Sequence, residues 1–321
     1  MAEQTNPKET THGWTNQKSR CNFAGWWDCS FFCNKFSTKD KIVPCNFNVP
    51  DFEKCSKVGR MANLYRIDDL TPKQIASICD HTFLMPDQVY HEKAKELKIS
   101  ASALREKEFF NFLEFTVKTD LTPYAVCVLP CDVAYARQYL DRHGRSGIGV
   151  ASVVGYPNGD WESTKDKIEC IKKVSREGAF EIDPVIRYKA LKDANTNMAV
   201  DEMWQIVDLA HNLGMKCKYI LENCELTPEL IREACKIADS SGSDFVKTNT
   251  GMGYSLAREK DILIMRANFS GGIKIAGGVV KDTYKSLLRA ASGRDDGMIE
   301  LDPMKIRIGE SKLIGEKKSE Y

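Results

Sequence analysis

The chain has 321 residues, of which 42% are hydrophobic and 28% are charged, and its formal net charge at pH 7 is +1. These values are typical of an ordinary globular protein, and they exclude a strongly basic nucleic-acid-binding chain. No run approaches the roughly 20 apolar residues of a membrane-spanning helix, and residues 1–11 are polar and contain no hydrophobic signal core. The sequence therefore predicts a cytoplasmic protein with neither a nucleic-acid nor a membrane partner.

Residues 1–62 differ in composition from the rest of the chain. They begin with a polar stretch, continue with an aromatic and cysteine-rich stretch, and show no sustained helical or strand period. Their cysteines stand at spacings that match no paired zinc-ligand pattern. We therefore interpret residues 1–62 as an N-terminal extension of undetermined structure, and residues 63–321 as one domain that ends in a C-terminal tail.

From residue 70 onward, short apolar runs alternate with segments of helical pattern. Thr71 followed by Pro72 is typical of a helix N-cap and its first turn. The apolar runs predict eight strands, at residues 79–84, 124–130, 148–156, 179–187, 215–222, 244–249, 272–276 and 305–308. The segments between them predict helices, among them 132–142, 164–176, 198–212, 228–238, 256–266 and 281–291. The long segment 86–123 has room for two helices.

Eight strand–helix units in this order predict an α/β protein with a (β/α)₈ TIM barrel, preceded by the extra N-terminal segment. The alternative is an open doubly wound sheet, whose phosphate loop would need a glycine fingerprint after the first strand. Residues 80–82, Asp-His-Thr, carry no such fingerprint. The barrel is therefore the predicted fold.

Three neighbouring predicted strands each carry a central lysine, namely Lys218, Lys247 and Lys274. Most strand lysines lie on a solvent-exposed face, but two of these strands run into glycines, where a backbone turns tightly or approaches a ligand. In a barrel, residues near the C-terminal strand ends point into one lumen, and Asp183 on the fourth strand has the same placement. The pattern therefore predicts a shared site of three lysines and one aspartate.

Such a cluster favours imine chemistry. Two ammonium groups close together in a partly dry cavity repel each other, so that one tends to lose its proton. A neutral amine attacks a carbonyl carbon, and the resulting imine is an electron sink for aldol cleavage and condensation. Asp183 is the candidate for moving protons, and the alternative for this residue is a structural salt bridge to a neighbouring lysine.

Glycines follow the last three predicted strands at Gly251, Gly277, Gly278 and Gly309. Exposed backbone N–H groups and helix N-termini at such turns bind anions, and the loops after strands seven and eight of a barrel often hold a phosphate. A phosphorylated aldehyde or sugar is therefore the predicted substrate, although each glycine taken alone could serve only a turn.

Eight motifs together resemble one known family, the deoxyribose-phosphate aldolases, which are class I aldolases on a (β/α)₈ barrel. The resemblance covers residues 71–321. The motifs are DHTFL at 80–84, AVCV at 125–128, VVGYPNG at 153–159, EID at 181–183, KYILE at 218–222, DFVKT at 244–248, KIAGG at 274–278 and RIG at 307–309.

The resemblance implies roles for individual residues. Lys247 would be the Schiff-base lysine, Lys274 the neighbouring cation that favours its neutral form, and Asp183 the proton-relay carboxylate. Lys218 would hold the sugar hydroxyl or a relay water, and the terminal Tyr321 would help proton transfer at the enamine carbon. The remaining implied site residues are Gly251, Gly277, Gly278, Gly309 and Ser311 for the phosphate, and Asp80, Cys127 and Thr248 for the rest of the pocket.

The implied reaction is the reversible cleavage of 2-deoxy-D-ribose 5-phosphate to D-glyceraldehyde 3-phosphate and acetaldehyde, a step of deoxyribonucleotide catabolism. It implies no organic cofactor and no metal, and its partners are a small sugar phosphate and aldehydes. A homo-oligomer is compatible with the sequence. Two alternatives stay open: another Schiff-base aldolase of a phosphorylated sugar, and a catalytically silent barrel that binds a sugar phosphate.

The chain departs from the family pattern in a few places. Pro184 follows Asp183 and removes one hydrogen bond from a barrel strand, and Asn249 stands where a serine is usual. Glu310 and Lys312 flank Ser311, and a carboxylate directed at a bound phosphate would weaken its binding. None of these departures removes a residue with an implied catalytic role.

Overall fold

The computed structural model describes residues 37–38, 41–42, 64–310 and 313–314. The chain divides into two units, Met1–Asn63 and Leu64–Tyr321. In the first unit, β1 (Ser37–Thr38) pairs with β2 (Lys41–Ile42) as an antiparallel ladder. The other residues of the predicted N-terminal extension lie outside the described residues.

The second unit contains a closed barrel of eight parallel strands, which confirms the predicted fold. Neighbours around the barrel follow the order of the chain, so each strand pairs with the barrel strands before and after it. The strands of this unit are β3 (Leu64–Arg66), β4 (Cys79–Phe83), β5 (Ala125–Val128), β6 (Gly149–Val154), β7 (Glu181–Pro184), β8 (Lys216–Ile220), β9 (Phe245–Lys247), β10 (Gly272–Ile275), β11 (Met298–Glu300) and β12 (Ile306–Glu310). The barrel comprises β4 to β10 and β12, while β3 and β11 form an antiparallel ribbon that has no counterpart among the predicted elements.

Helices connect the strands and lie around the barrel. They are α1 (Pro72–Ala76), α2 (His91–Leu97), α3 (Ala101–Lys118), α4 (Val133–Arg142), α5 (Thr164–Arg176), α6 (Tyr188–Lys192), α7 (Thr196–Asn212), α8 (Pro228–Ser241), α9 (Glu259–Asn268) and α10 (Tyr284–Ser292). The predicted N-cap is confirmed, since the Thr71 side chain accepts from the Gln74 backbone N–H in a capping box. As predicted, two helices, α2 and α3, occupy the long segment after the first barrel strand.

Helix α9 begins at Glu259, three residues later than predicted, and its delayed start has a visible cause. The Ala257 N–H donates to the Gly277 carbonyl at 3.0 Å, and the Leu256 side chain packs directly against Gly278. These contacts hold the chain against the turn after β10 before the helix can begin. Helix α10 also begins three residues late, at Tyr284, because the Thr283 hydroxyl accepts from the Val280 N–H at 3.2 Å in a preceding turn.

Side chains alternate in direction along each barrel strand, so one set points outward to the helices and the other points into the lumen. Residues that point outward are apolar and pack beneath the helices in the main core; they include Val126, Val150, Ile182, Cys217, Val246, Ile273 and Ile308. Complete burial of each large aliphatic side chain contributes about 1.5–3 kcal/mol. Residues that point inward are apolar on one side of the lumen, where Leu84, Cys127, Ala151, Val153, Val185 and Ile220 form a small cluster. On the other side they are charged.

Pro184 is tolerated because it is the last residue of β7, in register with Val154. A strand end loses least from a missing N–H, and the next residue, Val185, again donates to the Val154 carbonyl at 3.0 Å. Within the described part of the chain, no helix has the length and apolar character needed to cross a membrane.

Candidate active site

Strand register places three cations at one level of the lumen. Lys247 on β9 is in register with Lys274 on β10, and Lys274 is in register with Arg307 on β12. Because paired residues of adjacent parallel strands point to the same face, these three side chains enter the barrel side by side. All three residues are almost completely buried, at 1% exposure or less.

Asp183 on β7 lies opposite these cations and contacts three lysines. Its Oδ1 accepts from Lys218 Nζ at 2.8 Å. Its Oδ2 accepts from Lys247 Nζ at 3.0 Å and from Lys274 Nζ at 3.1 Å. The structure therefore brings together the four residues that the sequence singled out as a shared site.

The two aspartates of the lumen remain anionic. Burial alone would raise the pKa of Asp183, but the charges of Lys218, Lys274 and Lys247 outweigh it and hold that pKa well below its usual range. Asp80 on β4 lies 2.6 Å from Lys274 Nζ. Burial would raise the pKa of Asp80 too, and the charges of Lys274, Arg307 and Lys218 lower it below its usual range.

Lys274 remains charged because it lies beside two carboxylates. Burial alone would lower the pKa of Lys274, but the carboxylates of Asp183 and Asp80 raise it well above its usual range. An amine that holds its proton this firmly serves as a fixed cation, and it is poorly suited to attack a carbonyl.

Two further members of the cluster were not among the predicted site residues. Arg307 Nη2 lies 2.8 Å from Glu181 Oε2, and Arg307 Nη1 lies 3.4 Å from Asp80 Oδ1. Glu181 Oε1 also accepts from Lys218 Nζ. Sequence signals for both existed, since Glu181 precedes Asp183 by two positions and Arg307 precedes Gly309 by two, which places each on a lumen-facing position.

Lys247 has the fewest carboxylate partners of the three lysines. Among the described residues, its ion pair is with Asp183, whereas Lys274 pairs with Asp183 and Asp80. Lys218 pairs with both of these aspartates and with Glu181. The Lys247 side chain is 2% exposed and the other two are 0% exposed, so Lys247 is also the least enclosed of the three lysines.

Cys127 and Thr248, two predicted pocket residues, have different surroundings. Cys127 Sγ lies 3.8 Å from Asp183 Oδ2 in the lumen, and burial raises the pKa of this thiol, so that it stays protonated. The Thr248 hydroxyl donates to the Ala276 carbonyl at 2.6 Å and accepts from the Ala276 N–H at 2.8 Å. Thr248 therefore links the ends of β9 and β10.

The four predicted phosphate glycines divide into two kinds. Gly251, Gly277 and Gly278 have φ values of +87°, +96° and +70°, a backbone region that favours glycine. A Cβ at Gly251 would lie 3.9 Å from Gly277 Cα, so the turns after β9 and β10 adjoin each other. At Gly309 a Cβ would lie 2.9 Å from Lys274 Cε. Its missing side chain makes room for Lys274.

Glu310 does not point into the lumen. Its carboxylate contacts His81 Nδ1 at 2.8 Å and accepts from the Leu313 N–H at 2.6 Å, and its side chain is completely buried. The Glu310 carboxylate is therefore directed at His81 and at the chain after β12, and not into the lumen. Ser311, Lys312 and Tyr321 lie outside the described part of the chain.

The described residues contain no group of three His, Cys, Asp or Glu side chains in the arrangement of a metal site. What the lumen offers is one amine with a single carboxylate partner, an adjacent fixed cation and an anionic aspartate within hydrogen-bonding distance of both. This set can form an imine and move protons beside it.

Comparison with known proteins finds similarity to aldolases. The family model of the DeoC/LacD family aldolases matches residues 87–300. The deoxyribose-phosphate aldolase of Thermococcus gammatolerans is 36% identical over 216 residues, which are 67% of this chain and 86% of the relative. That of Caldicellulosiruptor saccharolyticus is 38% identical over 221 residues, 68% of this chain and 90% of the relative. The solved structure of QR15, an aldolase, has a TM-score of 0.59 and 25% identity, and the match covers 75% of this chain and 92% of that one.

Proposed function

This chain belongs to the DeoC/LacD family of aldolases, and we propose that it acts as a class I deoxyribose-phosphate aldolase. The reaction is the reversible cleavage of 2-deoxy-D-ribose 5-phosphate to D-glyceraldehyde 3-phosphate and acetaldehyde. The observation that carries the proposal is the contact between Lys247 Nζ and Asp183, whose carboxylate two other lysines share.

Lys247 is the proposed nucleophile because its neutral form costs least. Loss of a proton from Lys218 or Lys274 would leave two or more buried carboxylates without that cation. Loss of a proton from Lys247 affects one carboxylate, Asp183, which keeps its contacts with the other two lysines. Unpaired buried charges are costly, so the amine with the fewest partners is the one most readily freed.

The first half of the reaction forms the imine. The Lys247 amine attacks C1 of the open-chain sugar, and the carbinolamine loses water to give a protonated imine that is covalently bound to Nζ. Asp183, in contact with Nζ, accepts and returns the protons of these steps. Lys274, held in its charged form, preserves the positive field beside the reacting carbon.

The second half breaks the C2–C3 bond. The C3 hydroxyl loses its proton, C3 becomes the aldehyde carbon of D-glyceraldehyde 3-phosphate, and the bonding electrons move to C2 to give an enamine on Lys247. We assign Lys218 to the substrate hydroxyl or to a water that relays this proton. Protonation at C2 and hydrolysis then release acetaldehyde and restore the amine.

The phosphate is assigned to the adjoining turns at Gly251, Gly277 and Gly278. At Gly251 the nearest atom to the place of a Cβ is Gly277 Cα at 3.9 Å, so a phosphate can approach this backbone closely. Ser311 and the terminal Tyr321 keep the roles that the family resemblance implies, as predictions. Assembly into a homo-oligomer, a cytoplasmic location and the division at residue 62 remain predictions as well.

Turnover of 2-deoxy-D-ribose 5-phosphate tests the proposal, with both aldehyde products measured. We expect cleavage by the unaltered chain and a loss of roughly 10⁴-fold or more in kcat for Lys247→Ala, because the nucleophile is removed. Lys216→Ala is the matched control: Lys216 is a lysine of β8 whose Nζ contacts Asp244 at 2.6 Å, so its loss leaves the lumen cluster unchanged.

Three outcomes would count against the proposal. Cleavage of another sugar phosphate with no cleavage of deoxyribose 5-phosphate would support a different Schiff-base aldolase. Binding without any cleavage would support the catalytically silent barrel. Equal kcat values for Lys247→Ala and the unaltered chain would show that the nucleophile is another residue.

A further inference from the structure

We propose that Arg307 is a positioning residue whose fixed positive charge forces one lysine of the lumen, Lys247, into its neutral form. Arg307 would act through Glu181 and Asp80 and would not contact the substrate. The inference rests on the proposed Schiff-base function and adds the origin of the free amine. Arg307 would thus share with Lys274 the role of the cation that favours the neutral form of Lys247.

The lumen cluster contains more cations than carboxylates. Ion pairs join three carboxylates to four cations, and the members are Asp80, Glu181, Asp183, Lys218, Lys247, Lys274 and Arg307. With every group ionised, four cations face three carboxylates, which leaves one net positive charge. Each member is at most 1% exposed, and an uncompensated charge so deeply buried is costly. Release of one proton removes this cost.

Other ionisable groups around the cluster do not change this balance. Burial raises the pKa of the Cys127 thiol and that of the Tyr156 phenol, so both stay neutral at neutral pH. Tyr124 presents its ring to Arg307. Glu222, two residues beyond the end of β8, forms no ion pair with a cluster member among the described residues, and its carboxylate accepts from the Thr250 N–H at 2.7 Å and from Cys224 Sγ at 3.1 Å.

Arg307 cannot itself release the proton. A guanidinium is protonated throughout the physiological range. Burial alone would lower the pKa of Arg307, but the carboxylates of Asp80 and Glu181 outweigh burial and raise that pKa above its usual value. The group is also fixed in place: its Nε donates to the Pro303 carbonyl at 2.7 Å, and its carbon Cζ lies 4.2 Å from the Tyr124 ring centroid. The excess charge must therefore be removed from a lysine.

The carboxylate contacts distinguish Lys247 from the other two lysines. Arg307 forms ion pairs with the carboxylates of Glu181 and Asp80. Lys218 also contacts Glu181, and Lys274 also contacts Asp80. Those two lysines still have two or more carboxylate contacts each, and Lys247 has one. The excess positive charge is therefore removed at Lys247, the amine with the fewest carboxylate contacts and the only one of the three with any exposure.

The test is the pH dependence of covalent trapping, with acetaldehyde as the probe and borohydride as the reductant. Arg307→Met removes the excess cation, so the pH of half-maximal trapping should rise by about 1–2 units. Glu181→Gln removes a carboxylate and should lower that pH. The double variant again has one more cation than carboxylates, and it should trap near the pH of the unaltered chain.

Arg307→Lys is the conservative control, since it keeps a cation at the same position, and it should stay within the range of the unaltered chain. An unchanged half-maximal pH in folded Arg307→Met would overturn the inference, as would an unchanged value in Glu181→Gln should Arg307→Met fail to fold. Absence of trapping in the unaltered chain at every pH would instead overturn the Schiff-base function on which the inference rests.

Discussion

Within the described ranges, two clusters bury lysines almost completely, and their contrast shows what makes a lysine reactive. The lumen cluster consists of the seven charged residues inside the barrel. The outer cluster lies between α5, α7 and the end of β7: Lys167 Nζ contacts Glu202 Oε1 at 2.5 Å, and Glu202 Oε2 accepts from Arg187 at 2.7 Å and from Thr164 at 2.8 Å.

Burial and a lowered pKa do not by themselves identify a nucleophile. Burial is the main cause that lowers the pKa of Lys167 below its usual value, against the opposing effect of Glu202. However, Lys167 is 0% exposed, donates to the Val185 carbonyl at 3.3 Å, and packs with its Cε against Gly155. Lys247 differs because it stands at the C-terminal end of a barrel strand, where the lumen opens.

Among the substitutions that test this contrast, the largest effect on kcat is expected in the lumen. Asp183→Asn keeps the shape of the side chain but removes the charge that Lys218, Lys247 and Lys274 share. We expect kcat to fall roughly 10²–10⁴-fold, because proton transfer at the imine loses its carboxylate. Steady-state turnover measures this effect, and a kcat within tenfold of the unaltered chain would remove Asp183 from the proton transfers.

The outer cluster should show the opposite pattern. Glu202→Gln leaves Lys167 and Arg187 buried without their carboxylate, and we expect the free energy of unfolding to fall by about 3 kcal/mol. The kcat of the folded variant should match that of the unaltered chain. Denaturant unfolding together with turnover gives both values. A large loss of kcat at unchanged stability would mean that the outer cluster takes part in the chemistry.

The contrast also bears on what the sequence could predict. All eight barrel strands were predictable because apolar runs alternate with helical patterns, and Asp183, Lys218, Lys247 and Lys274 were predictable because charged residues are rare in such runs. The ribbon of β3 and β11 was missed because three-residue strands carry no usable period. Helices α9 and α10 begin late because of contacts between loops, which no local pattern contains.

Arg187 shows how a strand end limits such predictions. By alternation it shares a face with Asp183, but β7 ends at Pro184 and the Arg187 side chain instead reaches Glu202 in the outer cluster. Conversely, Glu181 and Arg307 lie on lumen-facing positions yet were not assigned to the site. Their part in it depends on the register between β10 and β12, which aligns Arg307 with Lys274. A single sequence does not contain that register.

The position of the covalent adduct tests most directly whether Lys247 is the reactive amine. After borohydride reduction in the presence of acetaldehyde, peptide mass spectrometry should find the reduced ethyl group on Lys247 and on neither Lys274 nor Lys167. An adduct on Lys274 or Lys167, with Lys247 unmodified, would contradict this assignment.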